Sequence, residues 1–286
     1  MYFFIFTEIN TPLVFVEQCW QYLFLGLIQG LTEFLPISST AHLFVLPLLL
    51  GWDAPGVSVT ASLQLGSIIA VITYFRSDLS HLGRAMSKAL YQNHWKDPSA
   101  NLLLSIFLGT LPIIAFGMIV KLFWLDYESS FVRSIPSIAI VSILMGILLY
   151  LAEIVGMRLK TIENLKISDG ILIGFSQCLA LIPGVSRSGI TITTALMAGY
   201  ERKSAARFSF LLGIPAISIA GLVELKEAFA SFELAHAFPL LLGISASALS
   251  SFFAIDFLMK FLQKQSMMIF SVYRLLFGIL LLGWYY

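Results

Sequence analysis

Two polar stretches interrupt long apolar regions of this chain: QGLTEFLPISSTAH at residues 29–42 and IPGVSRSG at residues 182–189. The first lies within residues 12–50 and the second within residues 168–199. Each stretch contains proline, glycine and serine, so each region predicts a helix, an irregular turn and a second helix. At membrane depth, irregular backbone of this kind is tolerated only where it is buried in protein or lines a wet cavity.

The composition indicates a membrane protein. Hydrophobic residues make up 58% of the 286 residues, and charged residues make up 12%. Soluble domains carry about 25% charged residues, so this chain has too few charges to cover a surface that faces water. The formal net charge of +1 offers no basic field, and we expect no nucleic-acid partner. We therefore predict an all-α polytopic membrane protein.

A helix needs roughly 20 mainly apolar residues to cross a bilayer. Six stretches qualify as spans, at about 56–75, 101–120, 135–155, 208–223, 237–259 and 267–285. Most Lys and Arg residues lie in four segments, which the positive-inside rule places in the cytoplasm: 76–96, 158–166, 202–207 and 260–264. The six spans then alternate correctly only if both broken regions are re-entrant hairpins, the first dipping in from outside and the second from the cytoplasm.

A nearly constant offset relates the two broken regions. Gly26 and Gln29 recur as Gly174 and Gln177, an offset of 148 residues. The motif prolines Pro36 and Pro183, and the dipeptides Leu65-Gly66 and Leu212-Gly213, are offset by 147 residues. This pattern predicts an internal repeat of inverted topology, with halves at about 12–155 and 160–286, inside a single membrane domain of residues 1–286.

The two turns together predict an anion site. Two helix N-termini would meet there, the first capped by Ser39 or Thr40 and the second by Ser188. Arg187 adds a cation inside the membrane, where an ionisable group marks a functional site by default. Phosphate fits such a site best. Arg274 is the other cation within a predicted span, and we expect it to pair internally.

Several candidate groups lie on the first broken helix. Gln29 and Glu33 are four residues apart and therefore share a face, where a carboxylate could hold a divalent cation or act as a general base. His42 could carry protons. Ser38 and Ser39 each qualify as a nucleophile or as a hydrogen-bond donor to phosphate.

At this point the motifs identify a family resemblance. QGLTEFLPISSTAH at 29–42 and PGVSRSGITI at 183–192 resemble the two signature segments of bacterial undecaprenyl-diphosphate phosphatases, also called bacitracin-resistance proteins. LQLGSIIAV at 63–71, FSFLLGIPA at 208–216 and VYR at 272–274 follow in the family's order, so the resemblance covers nearly the whole chain. It implies hydrolysis of undecaprenyl diphosphate at the outer face of the bacterial cytoplasmic membrane, which recycles the lipid carrier for peptidoglycan synthesis and confers bacitracin resistance.

The resemblance also implies roles for individual residues. The catalytic group would be Glu33, Ser39, His42 and Arg187, and the residues that bind the diphosphate would be Gln29, Ser38, Thr40, Ser186, Ser188 and Thr191. A divalent metal, Mg²⁺ or Ca²⁺, would bind at Glu33 and Gln29. This sequence departs from the family at Gln29, where many members have Glu, and at Ala41, where Gly is common. The attacking group stays open among Ser39, His42 and a water molecule.

Two alternatives to this function are a transporter and a different type of lipid phosphatase. A secondary transporter or lipid-phosphate flippase could also combine inverted repeats with a midplane anion site. A lipid phosphatase of the acid-phosphatase type is excluded, because Ser186-Arg187 is not followed by the required His and Asp. The oligomeric state stays open, with a homodimer among the alternatives.

Overall fold

In the computed structural model of this chain, the regular structure is helical. The structure describes residues 12–53, 55–93, 95, 97–124, 127, 130–230 and 237–286. The α-helices of this part are α1 (Pro12–Phe34), α2 (Ser39–Leu49), α3 (Val57–Tyr74), α4 (Arg76–Gln92), α5 (Pro98–Phe123), α6 (Ile135–Val155), α7 (Ile167–Gln177), α8 (Arg187–Met197), α9 (Arg202–Ala230), α10 (Ala237–Phe261) and α11 (Met268–Tyr285). Short 3₁₀ turns occur at Phe131–Arg133, Ile162–Asn164 and Cys178–Leu181.

The predicted spans are confirmed as helices. In the described part, α5, α6, α9, α10 and α11 are long and apolar enough to cross a membrane. A sixth span is present if α3 and α4, which are bent by 68° at their junction, are counted as one. Large apolar side chains such as Phe123 and Leu280 point outward and are 81% and 71% exposed. Lipid is the solvent that suits such a surface, so the chain is a polytopic membrane protein.

Helix α4 is an element that the sequence analysis did not predict. Its mean hydropathy is too low for a span, and its apolar residues lie at helical spacing on one side. Leu82, Ala85 and Ala89 are buried, and the helix packs on α5. Asp78 of α4 also pairs with Arg207 of α9, which fixes this amphipathic helix against the bundle.

Both broken helices are present, with turns between α1 and α2 and between α7 and α8. The predicted caps are wrong by one or two residues. Ser38 and Ser186 cap α2 and α8, and their side chains accept hydrogen bonds from the backbone N–H groups of Ala41 and Gly189. These two serines occupy left-handed backbone, with φ of 76° and 69°, directly before the first helical residue. The cap position follows this backbone geometry, which residue type alone does not reveal.

The long helices pack in pairs that join the first part of the chain to the second. Helix α1 packs on α10 and α7 packs on α5, while α3 packs on α9 and α6 on α11. Glycines allow the first two pairs to approach closely: a Cβ on Gly26 would lie 2.1 Å from the carbonyl oxygen of Gly243, and one on Gly174 would lie 2.1 Å from that of Gly109. Small residues serve this purpose at membrane helix interfaces.

Candidate active site

Glu33, near the end of α1, is the centre of a hydrogen-bonded cluster. Its Oε2 accepts hydrogen bonds from Ser39 Oγ at 2.7 Å and from Gln29 Nε2 at 3.1 Å. Its Oε1 pairs with Arg187 Nη2 at 3.1 Å, and both side chains are largely buried. The structure thus brings together residues that the sequence analysis selected from both motifs.

A slot in α9 holds the Arg187 guanidinium in place. Nη1 donates to the backbone carbonyl of Ser209 at 3.2 Å. A Cβ on Gly213 would lie only 1.9 Å from the same nitrogen, so any other residue at this position would displace the guanidinium. On another side, the guanidinium carbon lies 5.9 Å from the centre of the Phe34 ring. Glycine at 213 is therefore part of what aims Arg187 at Glu33.

Two predicted binding residues hold the second turn and do not face the cavity. Ser188 is fully buried, and its Oγ donates to the carbonyl of Leu35 in the first turn at 3.2 Å. Thr191 Oγ1 donates to the carbonyl of Arg187 at 2.8 Å and lies 2.6 Å from Ser209 Oγ. These bonds tie the start of α8 to the first turn and to α9.

His42 is also buried, and both of its ring nitrogens have partners. Nδ1 lies 2.7 Å from the carbonyl oxygen of Ser38, and Nε2 lies 2.6 Å from the hydroxyl of Tyr273. Because a carbonyl can only accept, Nδ1 carries the proton in this contact, and the Nε2 of a neutral ring accepts from Tyr273. The ring is also stacked on Phe277, with centroids 4.6 Å apart. This environment points His42 towards α11.

A cavity of about 840 Å³ opens above the Glu33 cluster. Seven of the ten predicted site residues line its polar end: Gln29, Glu33, Ser38, Ser39, Thr40, Ser186 and Arg187. The predicted residues His42, Ser188 and Thr191 do not line it. Most of the remaining lining is apolar and comes mainly from α5 and α9, including Ile113, Ile114, Met118, Ile217 and Ala220. Lys121 near the end of α5 is a charged member of this lining. A cavity with one polar end and apolar walls suits an amphiphile.

Helix α3 contributes polar residues to this cavity that were not among the predicted site residues. Thr60 and Gln64 line it, one helical turn apart. Ser67, a further turn along, lies 3.5 Å from Gln29 Nε2 and 2.9 Å from Ser251 Oγ. The sequence signal that could have identified them is an amide and hydroxyls at helical spacing in an otherwise apolar span.

The donor set does not fit a metal ion held by the protein alone. In the described part of the chain, no group of three or more His, Cys, Asp or Glu side chains could hold an ion. Both oxygens of Glu33 already accept hydrogen bonds, one of them from a cation. Gln29 turns its amide nitrogen, and not the amide oxygen that could bind a metal, towards the Glu33 carboxylate.

Comparison with known proteins agrees with the geometry. The family model of the bacitracin resistance protein BacA matches residues 22–280. A protein of Prochlorococcus marinus named undecaprenyl-diphosphatase is 68% identical over 279 residues, which cover 98% of this chain and 96% of that protein. A protein of the same name from Parasynechococcus marenigrum is 56% identical and covers 94% of both chains.

Proposed function

The chain belongs to the bacitracin resistance protein BacA family, and we propose that it hydrolyses undecaprenyl diphosphate to undecaprenyl phosphate and inorganic phosphate. In a bacterium this reaction recycles the lipid carrier for peptidoglycan synthesis and confers resistance to bacitracin. The observation that carries the proposal is the position of Glu33, which contacts both Ser39 and Arg187 at the polar end of an amphiphilic cavity.

The polar end offers several ways to offset the charge of a diphosphate. Helices α2 and α8 both begin there, at Ser39 and Arg187, so their free backbone N–H groups and dipoles favour an anion. Arg187 adds a planar cation that suits phosphate oxygens. Phosphoryl transfer depends mainly on positioning and on this neutralisation, and the site supplies both.

The contact between Ser39 and Glu33 supports a nucleophile and its base. In our proposal, Ser39 Oγ attacks the terminal phosphorus, its proton passes to Glu33, and the bond from phosphorus to the bridging oxygen breaks. Undecaprenyl phosphate leaves with the proton from Glu33. Water then attacks the phosphoserine, with the ionised Glu33 again as base, and this step restores the Ser39 hydroxyl and releases inorganic phosphate. If water is the nucleophile instead, Glu33 takes a proton from that water, and Ser39 keeps its proton and only donates a hydrogen bond.

His42 has a different place in this proposal. A proton-donating role would require its ring to turn away from Tyr273 and into the cavity. In its present position it holds the carbonyl of Ser38, directly before Ser39. We therefore assign His42 to positioning of the first turn, and the leaving group, itself a phosphate, departs without it.

The lipid chain and the membrane account for the rest of the cavity. We propose that the polyprenyl tail lies along the apolar walls of α5 and α9, continuous with the surrounding lipid.

The membrane topology follows from the two broken helices. They would re-enter the membrane from opposite sides as parts of inverted halves at about 12–155 and 160–286. The polar end of the cavity would open to the outer face of the bacterial cytoplasmic membrane. Ser39 and Arg187, 148 residues apart, are then equivalent first residues of α2 and α8. The homodimer stays a prediction, and light scattering of the purified protein tests it.

We propose that a divalent ion, Mg²⁺ or Ca²⁺, reaches the site on the diphosphate oxygens rather than as a resident of the protein. Hard oxygen ligands of this kind are what these ions prefer, and Mg²⁺ commonly uses substrate phosphates together with water.

Phosphate release in detergent separates hydrolysis from transport, since transport has no meaning there. We expect purified wild type to release phosphate from undecaprenyl diphosphate. Arg187→Ala should abolish turnover. The matched control is Arg202→Ala, because Arg202 also pairs with a buried carboxylate, that of Glu153, but away from the cavity. A folded wild type that releases no phosphate with either metal would favour the transporter or flippase.

A further inference from the structure

Arg274 of α11 connects the two turns of the candidate site. Its Nη1 donates to the carbonyl of Pro36 in the first turn and to that of Val185 in the second, both at 3.1 Å. Its Nη2 donates to the carbonyl of Gly184. Its Nε donates to the carbonyl of Ser142 on α6 at 3.4 Å. One side chain thus binds both turns and a neighbouring helix.

Among the described residues, no carboxylate pairs with Arg274. The side chain is 1% exposed. A buried charge in a membrane protein is costly and marks a function by default. Three of the four carbonyls that solvate Arg274 belong to the turns, so the cost of burying it is linked to the geometry of those turns.

The turns need such a restraint. Ser38 and Ser186 follow the bonded carbonyls by one or two residues and hold left-handed backbone, which costs on the order of 1–3 kcal/mol per residue and persists only where the surroundings fix it. Directly after them come Ser39 and Arg187, the two residues that meet at Glu33. Arg274 does not line the cavity.

The restraint requires the shape of arginine. A guanidinium presents five N–H donors in one rigid plane, and here they reach four carbonyls from three chain segments. A lysine ammonium keeps the charge but concentrates three donors at one point. It cannot span the same carbonyls.

We propose that Arg274 is a positioning residue that holds the two turns in register, so that Ser39 and Arg187 converge on Glu33. It acts on turnover through these residues and makes no contact with substrate. The proposal rests on the proposed phosphatase function.

Arg274→Lys tests the proposal because it keeps the positive charge and removes the planar set of N–H donors. At a temperature where both proteins are folded, we expect kcat per folded molecule to fall roughly a hundredfold, the scale for a displacement of about 1 Å at a reacting centre. KM should change less, because the apolar walls still bind the lipid. Hydrogen exchange should accelerate at the capped amides of Ala41 and Gly189.

A second variant covers the case in which Arg274→Lys does not fold. A Cβ on Gly146 of α6 would lie 3.2 Å from Arg274 Cβ and 3.1 Å from the carbonyl oxygen of Ser271, so Gly146→Ala presses on α11 without removing a polar group. We expect kcat to fall about tenfold, less than for a 1 Å displacement. Gly283→Ala is the control, since the added methyl on α11 meets nothing within 4 Å.

The outcomes separate this proposal from the proposed function. Wild-type kcat in Arg274→Lys, or in Gly146→Ala if the lysine variant does not fold, overturns the positioning role. A fall in kcat with unchanged exchange at Ala41 and Gly189 overturns it as well, since the turns would then be intact. Absence of phosphate release by wild type overturns the phosphatase function instead.

Discussion

Glu33 and Arg187 form a buried ion pair, with 3.1 Å between Oε1 and Nη2, across the two halves of the chain. The pair joins the end of α1 to the start of α8, and Ser39 holds the second carboxylate oxygen. Truncation of one partner in a buried pair leaves the other charge uncompensated and typically costs about 3–5 kcal/mol. Variants at this site therefore need both a stability measurement and a rate.

Ser39→Ala distinguishes attack by Ser39 from attack by water. If Ser39 only donates a hydrogen bond, kcat should fall by a factor on the order of 10²–10³, as for loss of one transition-state donor. If it attacks phosphorus, turnover should be abolished, and rapid quenching of wild type should trap a phosphoserine at residue 39. Ser245→Ala, an exposed serine of α10, is the control. An unchanged rate in Ser39→Ala would remove Ser39 from the mechanism.

His42→Asn and Tyr273→Phe test whether His42 positions the turn or transfers a proton. Asparagine can still donate to the carbonyl of Ser38 from its amide, so we expect it to retain much of kcat and the shape of the pH–rate profile. Tyr273→Phe removes the partner of Nε2 and should have a small effect. Loss of one limb of the pH–rate profile in His42→Asn would instead identify a proton-transfer role.

Gln64→Leu should raise KM. Gln64 lines the cavity from α3, and an amide there can bind a diphosphate oxygen that leucine cannot. We expect a loss in kcat/KM of about tenfold, the scale of one neutral hydrogen bond. Leu65→Ala, on the next residue of α3 and outside the cavity lining, is the control. Unchanged KM with full-length lipid would exclude Gln64 from binding.

Chelation tests how a divalent ion reaches the site. If the ion is carried by the diphosphate, EDTA should suppress turnover, and added Mg²⁺ or Ca²⁺ should restore it. A resident ion would stabilise the folded protein, so its removal would lower the melting temperature. Without a resident ion, EDTA should leave the melting temperature of the substrate-free protein unchanged. A melting temperature that falls on chelation would contradict this arrangement.

The sequence predicted the helices and the members of the site better than their contacts. Spans follow from long apolar runs, and polar residues inside such runs located Glu33 and Arg187. The caps at Ser38 and Ser186 were missed because they depend on left-handed backbone. The partner of His42 is 231 residues away, and Arg274 binds backbone carbonyls that carry no sequence signal, so packing alone reveals them. Helix α4 was missed because a short amphipathic helix resembles a polar loop between spans.

The most direct test of the account is phosphate release from undecaprenyl diphosphate by detergent-purified wild type, Glu33→Gln and Glu17→Gln. Glu17 is an exposed carboxylate on the same helix as Glu33. We predict release by wild type and Glu17→Gln, and a fall in kcat by a factor on the order of 10²–10⁴ in Glu33→Gln, the contribution of a general base. Equal rates in Glu33→Gln and wild type would contradict the central role of Glu33.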